Sequence, residues 1–178
     1  MLLKARCELA GTLSATQVPS LAASSVSQVG GTLKTCAVDS VPMNSAMEWH
    51  DSELIAINAV SPTEGEVLLD AYVYRKVEDA DHTSVEGGYQ RVRIRVPSMR
   101  FGDLAPEMPA DIYWGCLVLG GTEHNSPVPL PTRFEGTVGL TLTFRDHSQQ
   151  LQISGTGVNI VADGEFRFVE IVPFDPFV

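Results

Sequence analysis

"RVRIRV", residues 91–96, is the stretch whose reading decides the fold. Val92, Ile94 and Val96 fall on one side of an extended chain, and Arg91, Arg93 and Arg95 fall on the other. Successive side chains of a strand point to opposite faces, so this alternation predicts an antiparallel strand with one face buried and one wetted.

The same rhythm runs through most of the chain beyond Pro42. "EVLLDAYVYRKV" (66–77) sets Val67, Leu69, Ala71 and Val73 against Leu68, Asp70, Tyr72 and Tyr74. "TVGLTLTF" (137–144) sets Val138, Leu140, Leu142 and Phe144 against threonines, and "QLQIS" (150–154) repeats the pattern after the turn-like "RDHSQ". "VNIVADGEFRFVEIV" (158–172) reads as two strands joined by a hairpin turn at Asp163-Gly164, a dipeptide suited to positive φ. "DIYWGCLVLGG" (111–121) is a more continuous apolar run, as a strand covered on both sides requires, and "SELIAINAV" (52–60) completes the set. About eight strands and no long amphipathic helix predict an all-β, mainly antiparallel domain, a sandwich or partly open barrel.

Residues 9–33 carry no charge, are dominated by Ser, Ala, Thr and Gly, and have no continuous apolar core of the kind a secretion signal needs. The reading is a flexible extension over residues 1–42, followed by one domain over 43–178 that begins near Met43. No run approaches the roughly 20 apolar residues of a membrane-spanning helix. Three scattered cysteines, Cys7, Cys36 and Cys116, suggest neither a disulfide framework nor a zinc site, so reduced thiols in a cytoplasmic protein are expected. The net charge of −10 argues against nucleic-acid binding, which needs a basic patch, and suits a basic partner.

Six of the eleven prolines lie between Pro97 and Pro131, which predicts long loops on both sides of the 111–121 strand. Asp103, Glu107, Asp111 and Glu123 stand in or beside those loops and are the candidate partner-binding acids, poised to pair with basic residues.

All four histidines adjoin an acid, but His82, His124 and His147 fall in expected loops or turns. "MEWHDSELIAI" (47–57) is the more interesting case: His50 and Asp51 follow Trp49 where a strand is expected to begin. An imidazole oriented by a carboxylate would serve as a base or a ligand, yet neighbours on an extended strand point apart. The expectation is therefore a structural feature, with Trp49 anchoring the edge of the core and His50 and Asp51 meeting exposed backbone or each other through solvent. The arginine ladder Arg91, Arg93 and Arg95 is either an anion clamp or a set of cross-strand partners for acids such as Glu66 and Asp70, and pairing is favoured. No nucleophile elbow or nucleotide loop is present; the glycines of "ISGTGVNI" (153–160) read as a bulge or bend, and Cys116 as a small buried hydrophobe.

"EWHDSELIAI" at the domain's start and "LTFRDHSQQLQISGTGVNIVADGEFRFVE" at its end resemble small β-rich bacterial proteins that open on a Trp- or Phe-His-Asp triplet, some of them similar to immunity proteins encoded beside secreted toxins. The resemblance implies a non-enzymatic, cytoplasmic protein that occludes a toxin, and it transfers no residue role. The resulting expectation is an acidic protein-binding module, in particular an immunity-type inhibitor of a basic toxin, with no cofactor or metal. Two alternatives stand beside it. One is a small-ligand or metal-binding enzyme using His50, Asp51, Arg91, Arg93 and Arg95; the other is a structural subunit, which would accommodate a homo-oligomer.

Overall fold

The computed structural model describes residues 44–78, 83–102, 106–145 and 150–177. The expected extension over 1–42, the boundary at Met43, and Asp103, His82 and His147 lie outside the described residues. Among the described residues there is no helix, so none is long and apolar enough to cross a membrane.

Ten strands follow one another among the described residues: β1 (Ser45–Ser61), β2 (Glu64–Glu78), β3 (Thr83–Pro97), β4 (Arg100–Phe101), β5 (Ala110–Leu119), β6 (Thr122–His124), β7 (Val128–Pro129), β8 (Thr132–Phe144), β9 (Gln150–Ala162) and β10 (Arg167–Ile171). Six of them close into an antiparallel barrel, so of the two expected architectures the barrel is the one formed, and it is fully closed. It consists of two three-stranded meanders, β1-β2-β3 and β5-β8-β9. Their first strands pair at Glu53↔Asp111 and Leu54↔Ala110, and their last strands pair from Val92↔Ala162 to Arg95↔Asn159. Closure pairs the long strands on both sides and leaves few open ladder groups.

The interior is filled by the residues that the alternation assigned to it. Val67, Leu69, Ala71 and Val73 from β2 and Val92, Ile94 and Val96 from β3 are all fully buried, facing Val138, Leu140 and Leu142 of β8. Trp49, 2% exposed, lies across β5 at Gly115, where a Cβ would stand 2.5 Å from the indole. Cys116 is buried, as expected of a small hydrophobe.

Four local readings are corrected. First, Asp163-Gly164 is not a hairpin turn. β9 and β10 both run antiparallel to β3, β9 against Val92–Arg95 and β10 against Glu86–Tyr89. They are two collinear segments along one edge of β3, and the dipeptide marks the break between them. Second, Trp49-His50-Asp51 does not sit where a strand begins, because β1 starts at Ser45. In the register with β2, Glu48 pairs with Tyr72 and Glu53 with Asp70, so residues 49–52 bulge out opposite a single residue. Asp51 takes the left-handed conformation, φ 65°, that such an excursion needs. The buried Ser52 hydroxyl holds the bulge, donating to the Glu48 carbonyl at 2.5 Å and accepting the Tyr72 N–H at 3.1 Å. Third, the proline-rich loops are pinned by short strands: β4 pairs with β9, β6 with β5 and β7 with β1. Fourth, β5 is covered on both sides only in its middle, since Tyr113 is 57% exposed.

The first meander outruns the barrel. Beyond the closing pairs, the N-terminal part of β1, the C-terminal part of β2 and the N-terminal part of β3 continue as a sheet that β10 extends at its edge. The chain after β10 folds back on the outer face of this sheet end, where Val172 joins Tyr74 and Val85 in a second small core. Its N–H donates to the Val85 carbonyl at 2.8 Å.

Candidate functional site

The outer face of β2 carries Glu66, Asp70, Tyr72 and Tyr74 in succession, and the outer face of β3 carries Arg95, Arg93, Arg91, Tyr89 and Gly87 alongside them. One continuous surface therefore holds a charged half and an aromatic half.

In the charged half, Glu66 accepts from Arg95 Nε at 3.2 Å and lies 3.5 Å from an Arg93 amino nitrogen, while Arg93 also donates to Asp163. Asp70 pairs with Arg167 of β10 at 2.6 Å and not with the ladder, Arg167 reaching it across β3. Arg91 enters no ion pair among the described residues. Two of the three ladder arginines are thus occupied by acids of the same sheet.

In the aromatic half, a cleft of about 250 Å³ is walled by Tyr72, Tyr74, Tyr89 and Phe174, with Glu48, Asp51 and Glu170 on its lining. Among the described residues no basic side chain lines it. Tyr72 meets Tyr74 and Tyr89 edge to face, each with ring centres 5.4 Å apart, and Phe174 stands 6.1 Å from Tyr74. Each phenol holds a carboxylate: Tyr74 donates to Glu48, and Tyr72 donates to Glu170 at 2.7 Å. Burial, joined by these hydrogen bonds to carboxylates, raises both tyrosine pKa values well above 10, so both phenols stay protonated donors.

The register builds this arrangement. Tyr72 is directly opposite Tyr89, and Tyr74, Gly87 and Glu170 follow one another across β2, β3 and β10. Tyr72 reaches Glu170 only by crossing over β3, and Gly87 lets it pass, for a Cβ there would stand 2.1 Å from the phenol oxygen.

The bulge places His50 and Asp51 beside the cleft. His50 Nδ1 is 2.8 Å from Asp51 Oδ2, and Arg145 donates to Asp51 Oδ1 at 2.9 Å. The expected meeting through solvent is thus a direct contact, made possible because Asp51 leaves the extended conformation that would point the two side chains apart. Burial opposes the Asp51 charge, but the hydrogen bonds and positive charge of His50 and Arg145 outweigh it and hold the carboxyl below its ordinary range. His50 stays about half exposed and touches the Tyr113 ring edge-on. Among the described residues no three His, Cys, Asp or Glu side chains gather into a metal-binding group.

The acids singled out from the loops do not converge. Glu107 and Asp111 are exposed at the start of β5, whereas Glu123 on β6 lies opposite Val118. Val118 stands seven positions along the strand from Asp111, roughly 23 Å at the rise of an extended chain. Sequence reasoning missed Glu48, Tyr89, Glu170 and Phe174 altogether. The available signal was the Tyr72, Tyr74 pair, two aromatic side chains at a spacing of two on the face assigned to water.

Fold and cleft together define a closed six-stranded antiparallel barrel with a partly aromatic, acid-lined recess on its extended end. No protein-family model, curated protein or solved structure matches the chain.

Proposed function

We propose that this domain is a non-enzymatic protein-binding module whose docking surface is β10 and the aromatic cleft beside it. One observation carries the reading. Phe168, Val169, Ile171 and Phe174, each more than half exposed, make up half of the exposed large hydrophobic side chains among the described residues, and they lie within seven residues of each other. β10 pairs only with β3 among the described residues, so its other edge keeps unpaired ladder groups. An open edge with apolar side chains is a surface for another chain to extend or cover. The acids of the adjoining cleft and the net charge of −10 favour a basic partner. An immunity-type inhibitor of a basic toxin is the particular form of this reading that the resemblance supports.

The test is binding of a basic candidate partner, such as the product of a neighbouring gene, measured by calorimetry for the wild type and for a Phe168→Ser, Ile171→Ser double variant. The expected result is a loss of affinity of about a hundredfold, the size of effect that hot-spot residues produce. Unchanged affinity overturns the docking surface. A second reading, a small-ligand or metal-binding enzyme at His50 and Asp51, has the 2.8 Å contact between them in its favour. A stoichiometric metal in the purified protein, lost with His50→Ala, would establish it.

A further inference from the structure

We propose that the cleft of Tyr72, Tyr74, Tyr89 and Phe174 receives a guanidinium group, the side chain of an arginine presented by the partner; the inference rests on the docking role given to β10. The molecule contains its own example of the chemistry. On the opposite face of the same sheet end, the Arg75 guanidinium sits 4.3 Å above the Phe166 ring while its amino nitrogen contacts Glu86 at 2.5 Å. The outer face offers the same two components, aromatic rings and carboxylates, in larger number and without the cation: among the described residues four rings and three acids line the cleft, and no base does.

The acids of the cleft are prepared for such a guest. Glu48 and Glu170 each accept one phenol O–H, which orients the carboxylate and leaves further lone pairs open. Neither makes an ion pair among the described residues. Asp51 differs, because Arg145 already pairs with it and His50 Nδ1 contacts its other oxygen, so the guest's charge is matched by Glu48 and Glu170. A planar fork with five N–H donors satisfies two separated carboxylates and stacks on a ring at the same time. A compact, strongly hydrated ammonium does neither as well.

The experiment titrates the full chain with N-acetyl-arginine amide, with N-acetyl-lysine amide and with sodium chloride at matched ionic strength, following backbone amide shifts by NMR. The expected result is saturable binding with Kd on the order of millimolar, shifts centred on Tyr72, Gly87, Tyr89 and Glu170, and a preference for arginine over lysine of about fivefold. Glu170→Gln keeps an acceptor for the Tyr72 hydroxyl while removing the charge, and it should weaken arginine binding about tenfold without changing the melting curve. Shifts reproduced by salt, shifts elsewhere in the barrel, equal response to lysine, or full binding by Glu170→Gln each overturn the proposal. If partner affinity falls in the Phe168→Ser, Ile171→Ser variant while the cleft stays silent to arginine, the docking role stands and the guanidinium site fails. The reverse pattern separates the two the other way.

Discussion

The two faces of the sheet end formed by β1, β2, β3 and β10 make an instructive pair. The inner face is complete, with Arg75 lying between the Phe166 ring and the Glu86 carboxylate. The outer face has Glu48 and Glu170 held by phenols, and among the described residues no cation on the lining of its cleft. On the inner face the chain supplies all three components and the contact contributes to the fold. On the outer face the chain supplies two of the three, and its hydrogen bonds aim the acids without cancelling their charge. The difference separates an interaction that closes on itself from one arranged for something else. The same contrast runs along β2 and β3, where Glu66 and Asp163 together pair with Arg93 and Arg95 on the face that also carries the unpaired Glu48 and Glu170.

Gly87→Val is the sharpest way to break the outer face alone. Its side chain would enter the space of the Tyr72 phenol and of Val172, so an overpacking cost of about 2 kcal/mol in chemical denaturation is expected. The Tyr72–Glu170 hydrogen bond should go with it, read as a changed near-ultraviolet circular dichroism spectrum. If stability and the tyrosine signal both stay as in the wild type, Tyr72 does not cross β3 as described.

Arg75→Met tests the inner face and should cost less, about 1 kcal/mol, because Arg75 is nearly half exposed and the pair is open to water. The outer cleft should be untouched, with arginine affinity as in the wild type. A drop in that affinity would show that the faces are not independent.

The smallest effects are those of pH, and they run in opposite directions at the two extremes. Tyr72 and Tyr74 have folded pKa values raised above 10, so the unfolded chain ionises first as pH climbs past 10. Their contribution to stability is complete below that value and declines above it. Replacing both with Phe should flatten the alkaline part of a denaturation-midpoint curve. Asp51 has a lowered pKa, so its contribution is present above its ordinary value of 3.8 and is lost as pH falls through the folded value. Any stability gap between wild type and Asp51→Asn seen at neutral pH should close in strong acid, and a gap that persists there would remove His50 and Arg145 as its cause.

Much of this architecture was legible in the linear chain. Val92, Ile94 and Val96 could be assigned to an interior, and Val67 through Val73 beside them, because alternation is a property of a strand's own pleat and needs no knowledge of its neighbours. The pairing of Glu66 with the arginines followed from the same logic carried across one ladder. The bulge at Trp49–Ser52 was not legible, since it depends on Ser52 replacing a backbone partner for Tyr72. Nor was the collinearity of β9 and β10, for Asp163-Gly164 suits a hairpin equally well and only the length of edge that β3 leaves open selects the break.

The sequence alone therefore determined an acidic, antiparallel β-domain with a closely specified interior, because hydrophobic burial acts on each strand through a two-residue period. The tertiary structure alone decided that the barrel closes, that β10 is left as an edge, and that Tyr72, Tyr74, Glu48 and Glu170 meet. Those outcomes follow from register and from which strand finds which partner, and residues from three separate strands become neighbours only when the ladder between them has formed.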